Sequence, residues 1–150
     1  MFDLRSLYQE VIVDHSKSPR HFGKLDPCTH QADGHNPLCG DQLHVYLHIK
    51  NGCIDDLSFE GDGCAISVAS ASIMSETLKG KTLGEFEALF DRFQQMVTAP
   101  VDQPVADDGM GKLTVLAGVR EFPSRVKCAI LCWHTLKSAM HADSGVAKTE

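Results

Sequence analysis

Apolar positions at the start of the chain recur at Leu4, Leu7, Tyr8, Val11 and Ile12. That is the spacing of one helix face, so the chain opens on an amphipathic helix. The helix is expected to stop before Ser18-Pro19, because a residue preceding proline is driven out of the α region. From 19 to 39, Gly, Pro, Asp, Asn and His dominate, and the stretch reads as loop with room for one short strand. The period then changes to two. Leu43, Val45, Leu47 and Ile49 alternate with Gln42, His44, Tyr46, His48 and Lys50, as in a half-buried strand. Asn51-Gly52 marks a hairpin, with Leu57 and Phe59 on the return strand. A strict two-residue turn would pair Tyr46 with Leu57 and put apolar residues on the wrong face. A three-residue loop, Lys50-Asn51-Gly52, with Gly52 left-handed, instead pairs Val45 with Leu57 and Leu43 with Phe59. That register is the expectation.

After Cys64 the chain predicts a helix of mainly small residues, able to pack close to a sheet and ending at Gly80. Thr82 and Glu85 form a capping box for a following helix, whose apolar stripe is Leu83, Phe86, Leu89, Phe90, Phe93 and Val97. Residues 99–111 read as loop and 113–119 as a short helix. Pro123-Ser124 opens the last helix, with Val126, Ala129, Ile130, Trp133, Leu136 and Met140 on one face. The tail after His141, about the last ten residues, is expected to fray. No repeat or linker divides the sequence. The expected fold is α+β, one domain over residues 1–150, with a small antiparallel sheet and helices packed on one face.

Composition narrows the function. At 43% hydrophobic, 150 residues suffice for a sizeable core, and a formal net charge of −6 argues against a nucleic-acid partner. The N-terminus lacks the basic-then-apolar pattern of a signal peptide, and no run approaches the roughly 18 apolar residues of a membrane span. Six cysteines without a secretory signal suit a reducing compartment, the cytoplasm by default, where metal or thiol chemistry outranks disulfides.

Three of the cysteines have distinctive surroundings. Cys64 follows Gly61-Asp62-Gly63 and precedes a helix, whose amides and dipole favour a thiolate. Cys128 is placed in the first turn of the last helix, beside the cations Arg125 and Lys127. Cys39 lies in a Pro-containing loop, with Asp41 two residues on and on the same side of an extended chain. Three thiolates and a carboxylate suit tetrahedral zinc or a cluster iron, and metal or sulfur chemistry stands against the plainer reading of buried apolar cysteines. Cys28, Cys53 and Cys132 take the plainer reading, and the eight histidines read as surface or hydrogen-bonded residues.

The segments Asn36-Pro37-x-Cys39-Gly40-Asp41, Gly61-x-Gly63-Cys64-Ala65-Ile66-Ser67 and Arg125-Val126-Lys127-Cys128 together resemble the U-type iron–sulfur cluster assembly proteins, which comprise the IscU scaffolds, the NifU N-terminal domain and SufU. The likeness runs from the first helix to about Met140. The resemblance implies an IscU-like fold, Cys39, Asp41, Cys64 and Cys128 as the metal ligands, and a pyridoxal-phosphate cysteine desulfurase as partner. Lys127, where IscU scaffolds carry histidine, and a helical segment at about 81–100 both look like the SufU branch. That branch implies a zinc-dependent sulfur acceptor without stand-alone catalysis. Cys39 would take the persulfide sulfur and pass it toward a downstream cluster scaffold. Arg125 would hydrogen-bond an acidic group of the partner or steady Asp41. The alternative is that the chain is itself the scaffold on which a [2Fe-2S] cluster is built from iron and sulfur.

Overall fold

Period-two burial survives in the strand that carries it most clearly. In β2 (Asp41–Lys50), Asp41, Leu43, Val45 and Leu47 are buried, while Gln42, His44 and His48 keep solvent contact on the opposite face; Tyr46 breaks the pattern, buried on that face with its hydroxyl donating to Glu60. The structure is a computed structural model that describes residues 4–26, 28–37, 40–103, 111–140 and 147–148. Around β2 lie β1 (His30–Asn36) and β3 (Cys53–Asp62), both antiparallel to it, and a two-residue β4 (Ala147–Lys148) runs parallel to β1. The sheet order is β3-β2-β1-β4. Of the tail, 141–146 and 149–150 lie outside the described residues; the part expected to fray that is described pairs with Gly34 and His35.

The hairpin register differs from expectation. Asn51 and Gly52 are both left-handed, at φ 55 and 75, so they make a two-residue turn of the primed type and pair Lys50 with Cys53. The apolar face is rescued by a bulge further along: His48 pairs with Asp56 and Ile49 with Ile54, leaving Asp55 extra. Leu47 then faces Leu57 and Val45 faces Phe59. The demand that apolar residues share a face was sound, but the extra residue sits in β3 rather than in the loop.

β1 was read only as loop with room for a short strand, because His30–Asn36 contains one apolar residue, Ala32. Its inward positions are Ala32, Gly34 and Asn36. A Cβ on Gly34 would lie 3.1 Å from Thr135 Cβ and 3.3 Å from Leu131 Cδ1. The strand is thus pressed onto a helix, and smallness replaces hydrophobicity as its signature.

Helices lie over the inner face: α2 (Ala65–Leu78) and α4 (Pro123–Met140) against the sheet, α1 (Leu4–Lys17) against α2, and α3 (Leu83–Thr98) against α4 and a 3₁₀ helix at Gly111–Glu121. The side chains of Leu4 and Leu7 are not among those described, but Tyr8 and Ile12 are buried as the α1 stripe requires. Thr82 and Glu85 form the capping box of α3. Helix α4 is central and buried on nearly every side, Cys128 through Trp133 included, because it is wedged between the sheet and α2. Trp133 meets Phe86, Phe93 and Phe90 at centroid distances of 5.9, 5.0 and 5.7 Å, pairs worth about 0.5–1.5 kcal/mol each beyond their burial.

α1 and α2 are joined by a buried histidine. The Ser72 hydroxyl accepts from the Arg20 N–H at 2.8 Å and hydrogen-bonds His15 Nδ1 at 2.7 Å. His15 Nε2 lies 3.4 Å from Lys112 Nζ and 3.7 Å from Glu76 Oε1. Burial holds His15 below its ordinary 6.5, Arg20 and Lys112 add to this, and Glu76 and Asp14 oppose it. Burial lowers His134 likewise. The unfolded chain therefore binds protons first as pH falls below 6.5, and folded stability declines through that window. The melting temperature is expected to fall between pH 6.5 and about 5, less steeply in His15→Gln. A flat profile over that range in the wild-type chain would contradict a neutral buried His15.

Candidate metal centre

Asp41 occupies the first inward position of β2, where it is fully buried. Cys64 is the N-cap of α2 at φ −68 and ψ 165, with its sulfur accepting from the Ser67 N–H at 3.4 Å. Cys128 is buried in α4. The helix starts at Pro123, so Cys128 belongs to its second turn rather than the first turn expected. Free helix-end amides therefore do not reach it; Asn36 Nδ2 lies 3.9 Å from its sulfur instead.

One ligand atom from each of Asp41, Cys64 and Cys128 lies within 4.8 Å of the others, the one such group among the described residues. Asp41 Oδ1 accepts the Cys64 N–H at 2.8 Å, and Oδ2 lies 3.9 Å from its sulfur. The Cys64 thiol is lowered from 9.0 to about 6, chiefly by a hydrogen bond from Cys128 and then by the Ser67 and Ile66 amides, against burial and the Asp41 charge. A thiolate, a second thiol and a carboxylate converge where a sheet end meets two helices. Such a donor set fits zinc or iron.

Cys39 lies outside the described residues, within the 37–40 connection between Asn36 and Asp41. Arg125 is exposed in the first turn of α4, and Lys127 is half-buried just before Cys128. Cys132, by contrast, is an apolar-type thiol: burial pushes it up to about 12, and its sulfur lies 3.5 Å from Ser70 Oγ. Cys28 and Cys53 are half-buried. His44 is held by Asp33 and Gln31 on the outer sheet face, in agreement with the hydrogen-bonded reading of the histidines.

Two neighbours of the centre were not singled out from sequence. Asn36, though part of a quoted motif, had no assigned role; its burial at the end of β1 opposite Asp41 gives it one. Tyr8 was read only as core, yet after burial the Cys64 charge is the next cause raising its hydroxyl, with Glu121 adding and Arg125 opposing.

A three-stranded antiparallel core under helices, with cysteines and a buried aspartate converging at one end, defines a metal-handling α+β domain. The NifU-like N-terminal domain family matches residues 7–129, and the chain belongs to that family. The SufU branch expected from Lys127 and the helical segment at about 81–100 is supported by a SufU relative matched over nearly the whole chain. It is 40% identical over 137 residues to an iron–sulfur cluster assembly scaffold protein IscU of Streptococcus pyogenes, covering 91% of this chain and 84% of that one. It is 37% identical over 148 residues to the zinc-dependent sulfurtransferase SufU of Bacillus subtilis, covering 99% and 95%. A crystal structure from Fervidobacterium islandicum, described as an iron–sulfur cluster assembly scaffold for the SUF system, superposes with a TM-score of 0.81 at 33% identity, over 91% of this chain and 98% of that one.

Proposed function

We propose that this protein serves iron–sulfur cluster assembly as a zinc-dependent sulfur acceptor, working with a cysteine desulfurase and handing sulfur on to a downstream scaffold. The observation that carries the reading is the convergence of Asp41, Cys64 and Cys128. Cys39, two residues from Asp41 along the chain, would complete the set. These four residues would hold zinc, which when bound would keep the thiolates deprotonated and shielded. The contiguous buried core from Tyr8 to Ala139 supports treating residues 1–150 as one unit.

The transfer itself is a thiol exchange. The Cys39 thiolate attacks the outer sulfur of the desulfurase persulfide; a sulfur–sulfur bond forms at Cys39 as the one in the partner breaks. The products are a Cys39 persulfide and the partner's free thiolate, so no external oxidant or reductant is needed. Asp41 would anchor the centre while Cys39 reacts. Arg125, exposed in the first turn of α4, would meet an acidic group of the partner or steady Asp41. No helix among the described residues is long and apolar enough to cross a membrane, and a reducing compartment such as the cytoplasm suits the free thiols.

The IscU relative favours a second reading, in which the same residues carry a nascent [2Fe-2S] cluster. Alanine production from cysteine by the cognate desulfurase separates the two. Multi-fold stimulation by this protein, lost in Cys39→Ala, is expected for the relay. No stimulation from a partner shown to bind would remove the relay and leave the scaffold.

A further inference from the structure

Helix α2 carries four fully buried serines, and one of them differs from the rest. Ser70 Oγ donates to the Ala129 carbonyl at 2.6 Å, Ser72 Oγ meets His15 at 2.7 Å, and Ser75 Oγ donates to the Ser72 carbonyl at 2.7 Å. Ser67 Oγ is buried with no hydrogen-bond partner among the described residues. A buried hydroxyl in a helix ordinarily bonds back to the preceding turn, so its isolation calls for a reason.

The surroundings supply one. Ser67 is the third residue of α2 after its Cys64 cap. A Cβ on Gly63 would lie 2.9 Å from Asp41 Oδ1 and 3.2 Å from Ser67 Oγ. The carboxylate oxygen and the hydroxyl thus border the same gap, left open because residue 63 has no side chain. Asp41 Oδ1 already accepts the Cys64 N–H, and a carboxylate oxygen has a second lone pair to offer.

We propose that Ser67 is a positioning residue of the metal centre, donating its hydroxyl proton to Asp41 Oδ1 when the carboxylate serves as a ligand and so orienting Oδ2 toward the ion. The inference rests on the metal-binding reading above. It gives Ser67 no contact with the ion itself; its influence runs through Asp41.

Zinc affinity by chelator competition, together with melting of the zinc-free and zinc-loaded chain, tests it. Ser67→Ala is expected to bind zinc about 10- to 100-fold more weakly, the usual effect of removing such a supporting hydrogen bond. The zinc-free variant should melt at or above the wild-type temperature, since an unpartnered hydroxyl has gone, while the loaded variant melts lower. A serine that only supports the helix would lower both alike. In an Asp41→Ala background, Ser67→Ala should add no further loss of affinity. Affinity within about twofold of wild type, or equal destabilisation of both forms, overturns the proposal and leaves the metal centre standing. A wild-type chain that holds neither zinc nor ferrous iron overturns the metal centre, and the role of Ser67 with it.

Discussion

Zinc is expected to leave Asp41→Ala at least about 10- to 100-fold faster than the wild-type chain in the presence of excess chelator, taking the loss of a supporting bond as the lower bound for a ligand. Two separate interactions go with this carboxylate. Oδ2, 3.9 Å from Cys64 Sγ, would be a hard ligand among sulfurs, and Oδ1 accepts the Cys64 N–H at 2.8 Å. Alanine would therefore remove a ligand and also strand an amide at the start of α2, next to Cys64. Asp41→Asn distinguishes the two losses. Its side-chain carbonyl can still accept the amide, but its charge is gone. If the ligand role dominates, asparagine releases zinc nearly as fast as alanine; if the amide dominates, asparagine resembles wild type. Retention unchanged in both variants would remove Asp41 from the centre, and with it the distinction from an all-cysteine site.

Gly61→Ala is expected to destabilise the zinc-free protein by about 3 kcal/mol or more, combining backbone strain with overpacking. Gly61 sits at φ +144, which L side chains rarely adopt, and its added Cβ would meet the Gln42 carbonyl oxygen and lie 2.9 Å from Leu43 Cα. Both obstacles are backbone atoms of the neighbouring strand, so no rotamer change relieves them. Relief requires β3 to move off β2 at the Leu43–Gly61 pair, between Asp41 on one strand and Cys64 beyond the other. Urea unfolding measures the loss, and zinc affinity of the folded fraction should fall in parallel. A loss under about 1 kcal/mol would show that this end of the sheet separates easily, which the fully buried Asp41 beside it contradicts.

Local rules sufficed wherever the signal was local. The period of α1, the proline that ends it, the alternation in β2, the capping box of α3 and the glycine after α2 each depend on neighbours a few residues away, and each element formed where expected. Cys64 as a helix cap was legible for the same reason: a glycine-rich turn followed by a helix needs no distant partner to expose its amides.

What depended on distant packing was not legible. β1 has a single apolar residue, and its inward Gly34 makes sense only once Thr135 and Leu131 of α4 are seen above it. The bulge at Asp55 could not be located, because any one extra residue between Asn51 and Leu57 restores the apolar face equally well. Cys128 was placed in the wrong turn of α4, and the polar neighbour at its sulfur, Asn36, comes from a strand 92 residues earlier. Sequence determined which residue types were available for a metal and that two of them, Asp41 and Cys64, stood at element ends. Only the tertiary structure brought Asp41, Cys64 and Cys128 within 4.8 Å, because their meeting depends on a sheet end and two helices packing at one point.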